Sequence, residues 1–247
     1  MYIIGDIGNT EVKICFFSKK KKLKKKLILK TNLISYKYLN SKLSYLLKKK
    51  NYIKKIIFSS VVPKTFKKIK FFFNKKIHMK CNELKEINLK NMINIKVNKK
   101  QIGSDRLSNA LSVIDNKNNY IIIDFGTATT FDIVIRKNYL GGIIAPGVNL
   151  SLKTLIDNAS LIPDVKLKNV KNILGKNTLS AVRSGFYWGY IGLIESIIKK
   201  IIKHTRKKYK IILTGGLSHL FKKELSYKVN IDRDITVKGL LKTLKLI

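Results

Sequence analysis

Two carboxylates, Asp6 and Asp124, each end an apolar run and are each followed two positions later by a glycine. The surrounding residues repeat as well. Tyr2-Ile3-Ile4-Gly5-Asp6-Ile7-Gly8-Asn9-Thr10 aligns without a gap to Tyr120-Ile121-Ile122-Ile123-Asp124-Phe125-Gly126-Thr127-Ala128, at a constant offset of 118 residues. An Asp at the end of a strand, then a glycine, then short hydroxyl or amide side chains, forms a turn whose free backbone N–H groups can meet an anion. Carboxylate and phosphate repel one another, so a cation must sit between them. Asp6 and Asp124 are therefore candidate ligands for Mg²⁺ or another hard cation that bridges to nucleotide phosphates. A single Asp-x-Gly turn is a weak signal and reads more simply as a hairpin whose Asp satisfies its own backbone; two aligned copies favour the phosphate reading. A third group is Gly103-Ser104-Asp105-Arg106, a glycine turn entering an amphipathic helix. Taken alone it reads as an N-cap Asp beside a surface Arg. Arginine, however, offers a carboxylate-binding fork that lysine does not replace.

The elements that position these groups follow from periodicity. Each Asp-x-Gly turn leads into a second apolar or alternating run, Val12 to Phe16 and Phe131 to Ile135, which predicts a β-hairpin in each half. The lysine run at 19–26 reads as a solvated hairpin tip, with the next strand at Leu27 to Leu29. A helix is expected over 40–50, with apolar Leu43, Leu46 and Leu47, then a central strand from Ile56, a helix over 64–73 and a short strand at Ile77 to Met79. The stretch from Cys81 to Lys100 carries no clear pattern. In the second half, a glycine-flanked strand at 141–147 leads to a helix at 148–159, and a long helix runs from Thr178 to Ile202. Gly185, Gly189 and Gly192 lie inside it and would each cost about 1 kcal/mol unless a packing partner approaches closely. Ile211 to Gly216 reads as a buried strand ending in a glycine pair where a ligand can approach the backbone. Strands interleaved with helices predict an α/β fold of two related domains.

Composition bounds the alternatives. A chain of 247 residues with 45% apolar content can bury two modest cores. No run approaches the ~18 apolar residues of a membrane span, and the N-terminus lacks the features of a secretory signal, so a cytoplasmic protein is expected. Cys15 and Cys81 provide neither a disulfide framework nor a zinc site. The net charge of +38 invites a nucleic-acid reading. Only Arg106, Arg136, Arg183, Arg206 and Arg233 among the 52 basic residues are arginine, whereas phosphate and base recognition favours arginine. That excess of lysine argues for a solvated surface, one that can still draw anionic substrates inward at low salt.

In order along the chain, the sequence resembles the type III pantothenate kinases, a branch of the actin, sugar kinase and Hsp70 superfamily. The motifs are D-x-G-N-T at Asp6 to Thr10, G-x-D-R at Gly103 to Arg106, D-x-G-T-A-T-T at Asp124 to Thr130 and G-G-x-I-x-P-G at Gly141 to Gly147. They continue with Asn177-Thr178 and downstream Ser184-Gly185, and end with T-G-G at Thr214 to Gly216. The resemblance implies a duplicated, actin-like fold of two RNase H-like domains, each a mixed sheet flanked by helices. Residues 1–115 would carry the first phosphate loop and the G-S-D-R segment, and 116–247 the second phosphate loop, the dimer helices and T-G-G.

It also implies ATP-dependent phosphorylation of pantothenate, the first step of coenzyme A synthesis, with Asp105 as proton acceptor. Asp6, Ile7, Gly8, Asn9, Thr10, Glu11, Val12 and Lys13 match the ATP phosphate loop, and Thr127 a further ATP contact. Gly103, Ser104, Asp105, Arg106 and Thr178 match substrate-binding positions. Asp124 matches the ligand of a monovalent cation, K⁺ or NH₄⁺, beside Mg²⁺ bridged from Asp6 to phosphate; family members are homodimers. Many relatives carry Tyr and Pro where this chain has Lys96 and Lys99, which alters the expected wall of the pantothenate pocket. The competing readings are another phosphotransferase of the superfamily, differing mainly at Gly103 to Arg106 and Thr178, or a catalytically silent basic regulator that binds nucleic acid. The latter has no need of Asp6, Asp105 and Asp124 together.

Overall fold

A computed structural model describes residues 1–47 and 52–247. They form two compact units, Met1–Ile114 together with Asp234–Ile247, and Asp115–Arg233.

In the first unit, β1 (Tyr2–Ile7), β2 (Glu11–Phe17), β3 (Leu23–Lys30), β4 (Lys55–Ser60) and β5 (Cys81–Glu83) form one sheet in the order β3-β2-β1-β4-β5. The hairpin partners are antiparallel, and β4 runs parallel to both β1 and β5. β1 and β4 are central, and their Ile and Phe residues are buried on both faces, as continuous apolar runs in parallel pairs require. Helix α1 (Tyr36–Leu47) buries Leu39, Leu43 and Leu47; the helix expected over 40–50 thus begins earlier, and residues 48–50 lie outside the described residues. Helix α2 (Pro63–Ile77) starts with Pro at its first turn and buries Phe66, Ile69, Phe72, Phe73 and Ile77 against the sheet. After a two-residue strand β6 (Asn94–Ile95), helix α3 (Ser104–Val113) carries the G-S-D-R segment.

In the second unit, β7 (Asn119–Phe125), β8 (Ala128–Ile135), β9 (Asn138–Pro146), β10 (Lys210–Gly215) and β11 (Val229–Ile231) run in the order β9-β8-β7-β10-β11. The β7-β8 and β8-β9 pairs are antiparallel and the β7-β10 and β10-β11 pairs parallel. Strand for strand this is the first sheet again: β1 and β7 occupy the same place, with Asp6 and Asp124 one residue from their C-terminal ends. Helices α4 (Val148–Asn158), α5 (Thr178–Thr205) and the short α6 (Ser218–Phe221) complete the unit. Asn177 caps α5 through a reciprocal box with Ser180, and Tyr187, Tyr190, Ile191, Ile194, Ile198 and Ile201 face the core at helical spacing.

Several expectations are corrected. The strand placed at Ile77 to Met79 is instead the end of α2 and a left-handed His78, with the strand at Cys81–Glu83. Half of the lysine run lies in β3, which starts at Leu23; β3 is an edge strand, where lysines remain solvated and discourage further pairing. Asp234–Ile247 was expected with the second half but belongs to the first unit. Its helix α7 (Ile235–Thr243) buries Ile235, Val237 and Leu240 and packs on α3. A Cβ on Gly239 would lie 1.8 Å from the Ser108 carbonyl oxygen, so glycine there permits the close approach. No helix among the described residues is long and apolar enough to cross a membrane.

Candidate active site

In the first unit the phosphate-loop residues sit on the β1-β2 hairpin. The turn is closed by Gly8 N–H donating to the Glu11 carbonyl at 2.9 Å, and Thr31 braces it by donating its hydroxyl to the Gly8 carbonyl at 2.8 Å. Asn9, Thr10 and Glu11 are exposed, whereas Ile7 and Val12 are fully buried. Any contact those two make to a phosphate is therefore through the backbone. Asp6 is half-buried at the end of β1, where its Oδ1 accepts from the Ser59 hydroxyl at 2.5 Å. Lys13 is its cross-strand partner.

Asp105 is not an N-cap. Gly103 holds the cap position, and Asp105 is the second residue of α3, its Oδ1 accepting from the Arg106 N–H at 2.8 Å. A Cβ on Gly103 would lie 2.4 Å from that same Oδ1, so glycine is what leaves room for the carboxylate. Burial pushes the Asp105 carboxyl above its ordinary value, against the opposing effect of the Arg106 N–H and guanidinium. Asp6 is raised first by burial, against the Ser59 hydrogen bond and Lys13, and then further by the charge of Asp105. The α3 carboxylate is thus the least of the influences on the phosphate-loop carboxylate. Two such like charges accommodate either a proton or a cation.

The second unit repeats the device with variations. Gly126 N–H donates to the Ala128 carbonyl at 3.1 Å, closing the turn that exposes Thr127. Asp124 is flanked in register by Thr130 on β8 and Thr214 on β10, so the three side chains share one face of the sheet. The Thr130 hydroxyl oxygen is buried and, among the described residues, has no hydrogen-bond partner. Gly215 has φ +84°, and a Cβ there would lie 2.5 Å from the Phe125 carbonyl oxygen. The first glycine of T-G-G therefore fits the protein's own Asp124 loop rather than a ligand; Gly216 faces open space. Thr178 is the exposed first residue of α5, next to its Asn177 cap.

Sequence reasoning missed Ser59 and Glu83. The Ser59-Ser60 pair at a strand end was a weak signal for a hydroxyl partner of Asp6. Glu83 lay in the segment without periodicity, yet its carboxylate accepts from the Ser104 hydroxyl at 2.5 Å. The Gly185, Gly189 and Gly192 stripe has no packing partner among the described residues. Among the described residues nothing lies within 4 Å of a Cβ built at any of the three, so close packing within the chain does not explain them. Of the residues at the sites of the expected pocket wall, Lys99 donates to the Ile87 carbonyl at 3.2 Å.

No group of three or more His, Cys, Asp or Glu side chains that could hold a metal occurs among the described residues. Mg²⁺ does not require one, because it keeps its waters and takes one or two carboxylates alongside substrate phosphates. Asp6, with oxygen donors around it, fits that pattern. Asp124 with the buried Thr130 hydroxyl offers oxygen ligands of the kind a hard monovalent cation takes.

Two mixed sheets of matching topology, flanked by helices and each ending its central strand in Asp-x-Gly, define the two-domain, actin-like fold of the sugar kinases. A solved structure from Sinorhizobium meliloti, named as a candidate 2-dehydro-3-deoxygalactonokinase, superposes with a TM-score of 0.64 at 10% identity, covering 99% of this chain and 98% of that one. Residues 2–200 match the type III pantothenate kinase family. A type III pantothenate kinase from Pelagibacter ubique is 54% identical over 247 residues, all of both chains. One from Rhodospirillum rubrum is 39% identical over 188 residues, 75% of this chain and 73% of its own. The chain belongs to the type III pantothenate kinase family.

Proposed function

We propose that this kinase transfers the γ-phosphoryl group of ATP to the primary hydroxyl of pantothenate, giving 4′-phosphopantothenate in the first step of coenzyme A synthesis. Full-length similarity to the Pelagibacter ubique enzyme supports the substrate. The observation that carries the mechanism is the half-buried Asp105 carboxylate in the first turn of α3, in the same unit as the β1-β2 phosphate turn. As the pantothenate oxygen forms its bond to phosphorus, its proton passes to the Asp105 carboxylate. The bond from phosphorus to the bridging oxygen of ADP breaks, and ADP leaves with the electron pair. The desolvated, more basic carboxylate suits that proton, and positioning dominates the rate in this chemistry.

Backbone N–H groups of the exposed turn at Asn9 to Glu11 receive phosphate oxygens, and Lys13 supplies a point charge beside Asp6. Asp6 would hold Mg²⁺, which would supply charge neutralisation to the phosphates. Arg106 pairs with the pantothenate carboxylate as a planar fork, while Gly103, Thr178 and the backbone of the buried Ser104 line the substrate. In the second unit, Thr127 contacts ATP, and Asp124 with Thr130 takes K⁺ or NH₄⁺. The enzyme acts in the cytoplasm as a homodimer; the open glycine stripe of α5 supports a second copy as its packing partner.

The test is an acceptor panel. Purified protein with ATP and Mg²⁺ is offered pantothenate, hexoses and hexosamines, and products are read by mass spectrometry. Phosphate on pantothenate alone is expected, and transfer to a sugar with none to pantothenate overturns the reading.

A further inference from the structure

Glu83 is the last residue of β5 and pairs in register with Phe58 of β4, beside the Ser59 that holds Asp6. Its half-buried carboxylate gathers two donors: the Ser104 hydroxyl on Oε1 at 2.5 Å and the Lys85 N–H on Oε2 at 2.6 Å. Ser104 is itself 1% exposed and is the first residue of α3, immediately before Asp105. Gly103 provides no side-chain cap, so the first turn of α3 is tied to the sheet through this contact. We propose that Glu83 is a positioning residue for phosphoryl transfer, fixing Asp105 relative to the β1 phosphate loop through the Ser104 hydroxyl. An error of 1 Å in such a constellation can cost about 10²-fold in rate. A carboxylate suits the task because it is acceptor-only and can take one donor on each oxygen. The inference rests on Asp105 acting as the base.

Glu83→Ala and Glu83→Gln are compared with the wild-type enzyme in steady-state pantothenate phosphorylation. Hydrogen exchange of residues 103–107 is followed in the same three proteins. Glu83→Ala is expected to lower kcat about tenfold or more with little change in the KM for ATP, and to speed exchange at the start of α3. Glu83→Gln keeps an oxygen for Lys85 while its amide donates to the Ser104 oxygen, and should recover most of the rate. Combining Glu83→Ala with Ser104→Ala should add little to either loss, since both break one contact. Wild-type kcat and unchanged exchange in Glu83→Ala overturn the proposal, as does a Glu83→Gln enzyme no better than Glu83→Ala. A wild-type enzyme inactive on pantothenate would sink the functional reading instead, and the exchange measurement would still decide the role of Glu83 in holding α3.

Discussion

Asp105 joins two demands that pull against each other. Burial raises its carboxyl above the ordinary value, so folding favours the protonated form. That contribution to stability is complete below the unfolded-state pKa and is lost as pH rises through the higher folded-state pKa. At pH 7 the ionised base therefore costs stability. Asp105→Asn is expected to melt at the same or a higher temperature than wild type while losing at least ~10²-fold in kcat; a clearly lower melting temperature would show that the charge is stabilising. The same shift places the acid limb of the kcat/KM profile above the ordinary carboxylate range, which a pH–rate series would read directly. Gly103→Ala tests the space around the base. With its Cβ aimed 2.4 Å from Asp105 Oδ1, the variant should lose kcat well before it loses ATP affinity, as measured by turnover beside nucleotide titration.

Helix α3 carries the base and α7 carries α3. Ser108 donates to the Thr236 carbonyl at 2.7 Å, Thr236 donates to Asn109 at 2.7 Å, and Gly239 sits against the Ser108 carbonyl. Gly239→Ala is therefore predicted to destabilise the fold by about 1–3 kcal/mol, read as a fall in the urea midpoint; an unchanged midpoint would mean that the helices separate freely. Here the sequence was only partly legible. The Asp-x-Gly hairpins and α5 could be read because period-2 and period-3.6 burial leave local patterns. The return of α7 to the first unit could not, since its packing against α3 joins residues more than 120 positions apart. β5 was misplaced for a related reason: three residues are too short for periodicity, and register with β4 rather than local preference places them. Glu83 went unseen with it. The glycines of α5 were legible as an anomaly, but their open surroundings were not.

At the scale of the whole molecule, the net charge of +38 should act on encounter rather than on chemistry. The KM for ATP is expected to rise with ionic strength while kcat stays nearly constant, because screening weakens the long-range field but not a desolvated site. A KM insensitive to salt would remove the lysine surface from substrate capture. The duplicated sheets bring Asp6 and Asp124 to equivalent strand ends, and the two were assigned different cations. One experiment bears on both that assignment and the base. Steady-state phosphorylation of pantothenate by ATP and Mg²⁺ is measured for wild type and Asp105→Asn in matched K⁺ and Na⁺ buffers. The prediction is wild-type turnover that needs K⁺ and is all but abolished by Asp105→Asn with ATP binding retained. Near-normal turnover by Asp105→Asn would contradict the account at its centre.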